Sequence, residues 1–317
     1  MIDIRKLRYF ITVVELGSFT KAAAVLSVAQ PALTRQIQQL EKELGLELLL
    51  REGRRIRRTE AGDALLRHAR MIERDFERLR EDIQARKGQP RGRVVFGIPP
   101  TLADTLVPLL VEATRDKLPL VTLKIIEGLT PVLIDWVRSG EADLAILSLA
   151  QGDDAESAAA VSLEVVASED MVVVEKAREP PPPPLYEREA LSSKPIVVSQ
   201  MLANIVRRQL GAVDFPLNVV TEIDSVQAIK TMVLRGQAAT ILPVSMLRTE
   251  LHSGDVIGSA ITASPVQRKL VLAQPSHRHI TQATESVRCL VKELIEQMSA
   301  VGFFSLVATS GHQRRCT

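Results

Sequence analysis

Only two cysteines occur in the 317 residues, Cys289 and Cys316, and neither has the spacing of a metal site. Two thiols do not make the disulfide framework on which small secreted domains depend. No apolar stretch reaches about 18 residues, and the N-terminus lacks a charged segment followed by an apolar run and a small-residue cleavage site. The expectation from these absences is a cytoplasmic protein with no membrane partner. Histidine is scarce as well: His68, His252, His277, His279 and His312 form no H-E-x-x-H pair, and only His277 and His279 are close, in a loop after a proline. There is no G-x-S-x-G, no phosphate-binding glycine loop and no G-x-G-x-x-G. Ser18 to Lys21 spells S-x-x-K, a pattern of acyl-enzyme chemistry, but the partner motifs are missing and a helix-capping role accounts for Ser18. No catalytic residue, metal ligand or cofactor site is expected, so the chain is not read as an enzyme.

What is present is ordinary in amount and uneven in placement. Hydrophobic residues make up 46% and charged residues 25%, the composition of a globular protein, and the length calls for two or three compact units. Residues 1–58 carry eleven Lys and Arg against six Asp and Glu, although the whole chain is only +2. The rest is therefore acidic on balance. Much of the basic excess is Arg51, Arg54, Arg55, Arg57 and Arg58, a patch of the kind that phosphate backbones attract.

Periodicity gives the basic segment three helices. Leu7, Phe10, Ile11 and Val14 fall at helical spacing before Gly17. Ser18 is placed to cap a second helix with Phe19, Ala22, Ala23 and Leu26 inward, and Ser27 and Val28 make a tight turn. A third helix is expected from about Gln30 to Leu44, with Pro31 in its first turn and Leu33, Ile37, Leu40 and Leu44 on one face. Its opposite face carries Gln30, Thr34, Arg35 and Gln38, which can hydrogen bond and are not needed for a core. Any surface helix shows a polar face, but a helix that follows a tight turn and precedes an arginine cluster has the form of a recognition helix. Gln suits adenine edges and Arg guanine edges. Residues 46–58 read as a strand, a turn at Gly53 and a return strand, a wing that holds the arginines beside a duplex.

Thr59 and Glu60 open a long helix whose Leu65, Ala69, Ile72, Phe76, Leu79 and Ile83 repeat at 4, 3, 4, 3 and 4, the heptad spacing of a pairing seam. Arg70, Glu73, Glu77 and Arg80 fill other positions. Gly88, Pro90 and Gly92 read as a hinge, after which strands alternate with helices: Arg93 to Ile98, Leu102 to Lys117, Val121 to Glu127, Pro131 to Ser139 and Asp143 to Leu149 make one βαβαβ unit. A second unit comprises strands Asp170 to Val174, Ile196 to Ser199, Asn218 to Glu222 and Thr240 to Leu242, with helices near Asn204 to Leu210 and Ser225 to Arg235. Pro180 to Pro184 is a loop or extended segment. Strand Lys269 to Ala273 and helix Thr284 to Ser299 are expected to return to the first unit, and 300–317 to be a loosely ordered tail.

Open parallel sheets bind ligands at strand ends that lead into helix N-termini, where unpaired N–H groups suit an anion. Two such junctions occur, at Pro100, Thr101 and Leu102 and at Thr130, which is also placed to cap its helix ahead of Pro131. Ser199 and Gln200 hold the equivalent place in the second unit, and Asp224 is expected to cap the helix after it. The effector expected there is a small anionic metabolite.

The run "FITVVELGSFTKAAAVLSVAQPALTRQIQQLEKELG" and the later "TEAGDALL" resemble the signature domain of LysR-type transcription regulators. "GIPPTLADTLVP", "EGLTPVLIDWVRSGEADLAIL" and "EIDSVQAIKTMVLRGQAATILP" resemble that family's effector domain. The resemblance implies an α/β multidomain chain: a winged helix-turn-helix over 1–58, a linker helix over 59–88 and an effector domain over 89–300. Its two subdomains, about 89–162 with 268–300 and about 163–267, would be arranged like periplasmic binding proteins, with 301–317 as the tail. It implies a homodimer through the linker helix or a homotetramer, promoter DNA and RNA polymerase as partners, and an unidentified small effector in the cleft. Gln30, Pro31, Thr34 and Arg35, with Gln38 and the wing's Arg51, Arg54 and Arg55, would meet DNA, while Thr101, Thr130 and Ser199 would line the cleft. Alternatives are a regulator of this type that needs no effector and a solute-binding protein with a helical head. Ala29 stands where the family often has a Ser capping the recognition helix.

Overall fold

The computed structural model describes residues 2–52, 55–85, 89–150, 160–210, 216–261 and 265–306. The chain divides into two compact units, Met1–Lys87 and Gly88–Thr317.

In the first unit, α1 (Ile4–Leu16), α2 (Phe19–Val25) and α3 (Gln30–Leu44) pack around Phe10, Val13, Ala22, Leu33 and Leu40, all fully buried. The side chains of Asp3 and Ser18 start α1 and α2 by accepting from the Lys6 and Lys21 amides. Between α2 and α3 the Val28 amide returns to the Ala23 carbonyl, the tight turn the sequence calls for. Strands β1 (Leu49–Glu52) and β2 (Arg55–Arg58) pair antiparallel, with Leu49 opposite Arg58 and Glu52 opposite Arg55. The turn expected at Gly53, and Arg54, lie outside the described residues. The Glu41 carboxylate accepts from the Leu48 and Leu49 amides at 2.9 and 3.2 Å and so sets where the hairpin leaves α3.

Helix α4 (Glu60–Ala85) begins at Thr59, whose hydroxyl accepts from the Gly62 amide at 3.0 Å. A side chain at 62 would bring Cβ within 2.2 Å of the Leu48 carbonyl oxygen, so only glycine lets α4 meet the hairpin here. The seam expected along α4 is divided. Ala69 and its neighbour Leu66 are buried in the core of this unit, whereas Ile72, Phe76, Leu79 and Ile83 are exposed. Charges expected only to fill the remaining positions instead join α4 to α1: Arg8 meets Glu73 at 2.8 Å and Arg70 meets Glu15 at 3.0 Å.

The second unit opens with β3 (Gly92–Ile98), α5 (Pro100–Lys117), β4 (Val121–Glu127), α6 (Thr130–Ser139) and β5 (Leu144–Ala150). These strands are parallel in the order β4-β3-β5, which is the expected βαβαβ unit. The following strand, β6 (Val161–Lys176), is much longer than the expected Asp170 to Val174 because its first half belongs to this same sheet. There follow β7 (Leu185–Tyr186), α7 (Arg188–Ser193), β8 (Ile196–Val198), α8 (Gln200–Gln209), β9 (Val219–Glu222), α9 (Val226–Leu234) and β10 (Thr240–Pro243). After a 3-10 turn (Val244–Leu247) come α10 (Arg248–Ser253), β11 (Val256–Ile261), β12 (Gln267–Pro275), α11 (Gln282–Ala300) and β13 (Ser305–Leu306).

The second half of β6 pairs with β10 and β11, its first half with β12, and β12 in turn with β5. β6 therefore runs from one subdomain into the other, with β12 beside it at the crossing. Each subdomain has its own core. Leu102, Leu106 and Leu110 of α5 pack with Phe96, Ile98 and the Val287 and Val291 of α11, while Ile196, Leu202, Ile229 and Ile241 centre the other. Elements α7, α10 and β11 were not expected from the sequence. Nor was β13, which pairs with Ser168 and Ala167 of β6, so the tail begins as ordered strand; 307–317 lie outside the described residues. Among the described residues no helix is long and apolar enough to cross a membrane, and no cluster of three or more His, Cys, Asp or Glu could hold a metal.

Candidate functional site

Helix α3 is amphipathic in the sense its sequence predicts. Leu33, Ile37 and Leu40 are buried, and Gln30, Pro31, Arg35 and Gln38 are exposed, with Thr34 between. The exposed side chains are arranged by local bonds: the Gln30 amide donates to the Thr34 hydroxyl at 3.3 Å, and Arg35 Nε to the Pro31 carbonyl at 3.4 Å. Ala29 gives the first turn no side-chain acceptor. The opposite end of α3 is held down by Lys6, whose ammonium lies 2.8 Å from Glu43. That hydrogen bond lowers the Glu43 carboxyl to about 2.

The hairpin places Arg51 and Arg55 in its register, opposite Ile56 and Glu52. Of the two arginines that follow, both exposed, Arg58 is engaged by Asp63 at 2.6 Å. The polar face of α3 and a basic hairpin thus belong to one small unit, anchored from behind by a closed core.

In the second unit the structure redistributes the expected cleft residues. Thr130 does not cap α6: the N-cap is Leu129, and the buried Thr130 hydroxyl instead donates to the Ser148 carbonyl at 3.0 Å and accepts from the Ser148 amide at 3.3 Å. Asp224 does not cap α9 either, because Ser225 does, its hydroxyl accepting from Ala228. Asp224 and Gln200 are exposed, and Ser199 is buried as the cap of α8. Pro100 is half-buried, Leu102 is core, and Thr101 is buried with its hydroxyl accepting from Arg268 Nη1 at 2.5 Å.

Arg268 is the residue that the sequence reading missed. It is 0% exposed, on β12, directly opposite Glu169 of β6 (2% exposed). Its Nε and Nη2 lie 2.9 and 2.7 Å from Glu169 Oε2, and its Nη1 also reaches the Ser148 hydroxyl at 3.4 Å. Glu169 Oε1 accepts from the Ser245 amide at 2.6 Å, at the turn after β10. Thr101, Ser148 and Thr130 of one subdomain are thereby joined through Arg268 and Glu169 to Ser245 of the other. At the exposed start of α9, Gln227 donates to Asp104 of α5, a second bridge. The available signal was a charge of each sign inside a strand, Glu169 and Arg268, each one residue outside the strand expected there.

The family model of the LysR substrate binding domain matches residues 87–298, and that of the bacterial regulatory helix-turn-helix proteins of the lysR family matches residues 4–63. The chain belongs to the LysR family of transcriptional regulators. It is 27% identical over 302 residues to the nitrogen assimilation regulatory protein nac of Klebsiella aerogenes, covering 94% of this chain and 96% of that one. It is 28% identical to the HTH-type transcriptional regulator CfxR of Cupriavidus necator over 92% of each. A full-length OxyR variant from Pseudomonas aeruginosa shares the fold with a TM-score of 0.71 at 21% identity, over 98% of this chain and 99% of that chain. CbnR complexed with its target DNA does so at 0.66 and 20%, over 93% and 99%. The family models make this LysR-type chain a DNA-binding regulator of transcription, not an enzyme.

Proposed function

We propose that this regulator recognises a partly symmetric promoter site as a homodimer or homotetramer, and that a small anionic effector in its second unit controls how it engages that site. Gln30, Pro31, Thr34, Arg35 and Gln38 of α3 meet the DNA, and Arg51, Arg54 and Arg55 of the hairpin contact phosphates. RNA polymerase is the partner on which the regulation acts. The division of α3 carries this reading: Leu33, Ile37 and Leu40 withdraw into the core and leave a row of exposed Gln and Arg side chains on which the core does not depend. Such side chains read base edges in the major groove, each good bidentate pair giving about 1–3 kcal/mol of discrimination. The test is a footprint on DNA from the protein's own upstream region. Two half-sites related by two-fold symmetry are expected, with Arg35→Ala losing protection at both. Unchanged protection by Arg35→Ala would remove α3 from the interface.

One observation favours a second reading, a LysR-type regulator that needs no effector. The polar groups of Thr101, Thr130 and Ser199, proposed to line the cleft, already have partners within the chain.

A further inference from the structure

A guanidinium with no exposed surface sits where β12 passes between the two subdomains, and the carboxylate that neutralises it comes from the chain itself. We propose that Arg268 anchors a carboxylate site which Glu169 fills from within, and that the effector is a small carboxylate that takes Glu169's place on Arg268. This rests on the effector-responsive reading above and gives the effector its chemistry.

Charge decides the class of ligand. A buried guanidinium left alone is strongly unfavourable, so whatever displaces Glu169 must bring a negative charge. A dianion such as hydrogen phosphate would leave a surplus negative charge in the same enclosed place, whereas a monocarboxylate matches the group it replaces. Geometry agrees. Arg268 Nε donates to one oxygen of Glu169, with Nη2 in ion-pair contact with the same oxygen, and the Ser245 amide donates to the other. That set fits a planar two-oxygen anion.

The same residue carries a further donor: Ser245 is only 5% exposed, and its hydroxyl has no hydrogen-bond partner among the described residues. A buried hydroxyl without a partner is unusual in a folded protein. A free carboxylate, unlike the tethered Glu169, can settle where this hydroxyl also donates to it. The exchange has a structural consequence, because Glu169 and Arg268 lie opposite one another on β6 and β12 and bond to different subdomains. Arg268 holds Thr101 and Ser148, and Glu169 holds Ser245. Replacing Glu169 converts a covalently tethered link between the subdomains into a ligand-dependent one.

The tether also sets the affinity. Glu169 competes at the high effective concentration of an intramolecular group, so the parent binds a simple carboxylate weakly and a variant without Glu169 binds it better by at least roughly tenfold. The experiment uses the full chain as parent, Glu169→Ala and the double variant Glu169→Ala/Arg268→Met, with sodium formate as the probe against sodium chloride of equal ionic strength. Formate should raise the melting temperature of Glu169→Ala in a saturable manner, shift the parent little, and leave the double variant, which retains no buried charge, unmoved. If Glu169→Ala cannot be purified, Glu169→Gln keeps the shape without the charge and replaces it with the same readout. A single variant that responds to formate no more than the double variant overturns the proposal and returns the pair to a purely structural role. The same proteins titrated with upstream DNA separate the two claims. Loss of DNA preference in the parent would defeat the regulatory reading and leave the formate result intact.

Discussion

Ala29 precedes the helix that carries the proposed base contacts, and it contributes no acceptor to the first turn. Its carbonyl already takes the Ala32 amide at 2.9 Å, and Pro31 has no N–H to offer, so a serine hydroxyl at 29 would serve Ala32 alone. Ala29→Ser should therefore stabilise α3 by about 1 kcal/mol, measured as slower hydrogen exchange of the α3 amides in the full chain; no change would mean that the Ala32 amide is not accessible to a cap. A second effect at this scale depends on pH. The hydrogen bond from Lys6 lowers Glu43 to about 2, below its ordinary 4.5. A carboxylate depressed on folding stabilises above its unfolded value, and that contribution is lost as pH falls from about 4.5 through about 2. The melting temperature of the parent should fall more steeply over this range than that of Lys6→Met, and parallel curves would contradict the assignment. Lys6 is itself buried, which periodicity did not indicate: a lysine one position before Leu7 reads as solvent-facing until its partner on α3 is known.

At the scale of elements, packing between helix and sheet sets the tolerances. A Cβ on Gly97 of β3 would lie 2.8 Å from Leu133 Cδ2 and 3.1 Å from Ala145 Cβ, so α6 sits directly on a strand that cannot carry a side chain there. Gly97→Ala should cost about 1–3 kcal/mol through overpacking, seen as a lower unfolding midpoint. An unchanged midpoint would show that α6 can retreat. Helix α4 poses the opposite case, with Ile72, Phe76, Leu79 and Ile83 at 48%, 43%, 55% and 61% exposure in a heptad row. Four large apolar side chains at that spacing are what a second copy of the helix would cover. Phe76→Glu/Leu79→Glu should sediment as a monomer where the parent is expected to sediment as a dimer or tetramer; an unaltered mass would place self-association elsewhere. The periodicities of α1, α3 and α4 were legible because each helix gathers its apolar side chains on one face. Ala69 was assigned to the seam because the repeat alone cannot say where a helix leaves its own domain.

Over the whole molecule, the sequence showed two kinds of unit because they differ in charge and in period. Residues 1–58 are basic and helical, while the chain after residue 88 alternates strand and helix around apolar cores. The proposed effector cleft was less legible for a definite reason. Thr101 and Thr130 were found from strand-to-helix junctions, but their hydroxyls are directed to Arg268 and Ser148 by residues more than a hundred positions away or on another strand. Glu169 and Arg268 each fall one residue outside the strand expected there, since a lone charge beside an apolar run usually marks the end of burial. Only the antiparallel register of β6 and β12 brings the two charges face to face. The central claim, sequence-specific DNA binding through α3, is tested most directly by fluorescence-anisotropy titration of the full chain with its own upstream DNA and with scrambled DNA at two salt concentrations. The account predicts tighter binding to the upstream DNA, affinity that falls steeply with salt for both DNAs, and loss of the difference between them in Arg35→Ala. Equal affinity for both DNAs, unaffected by Arg35→Ala, would contradict it.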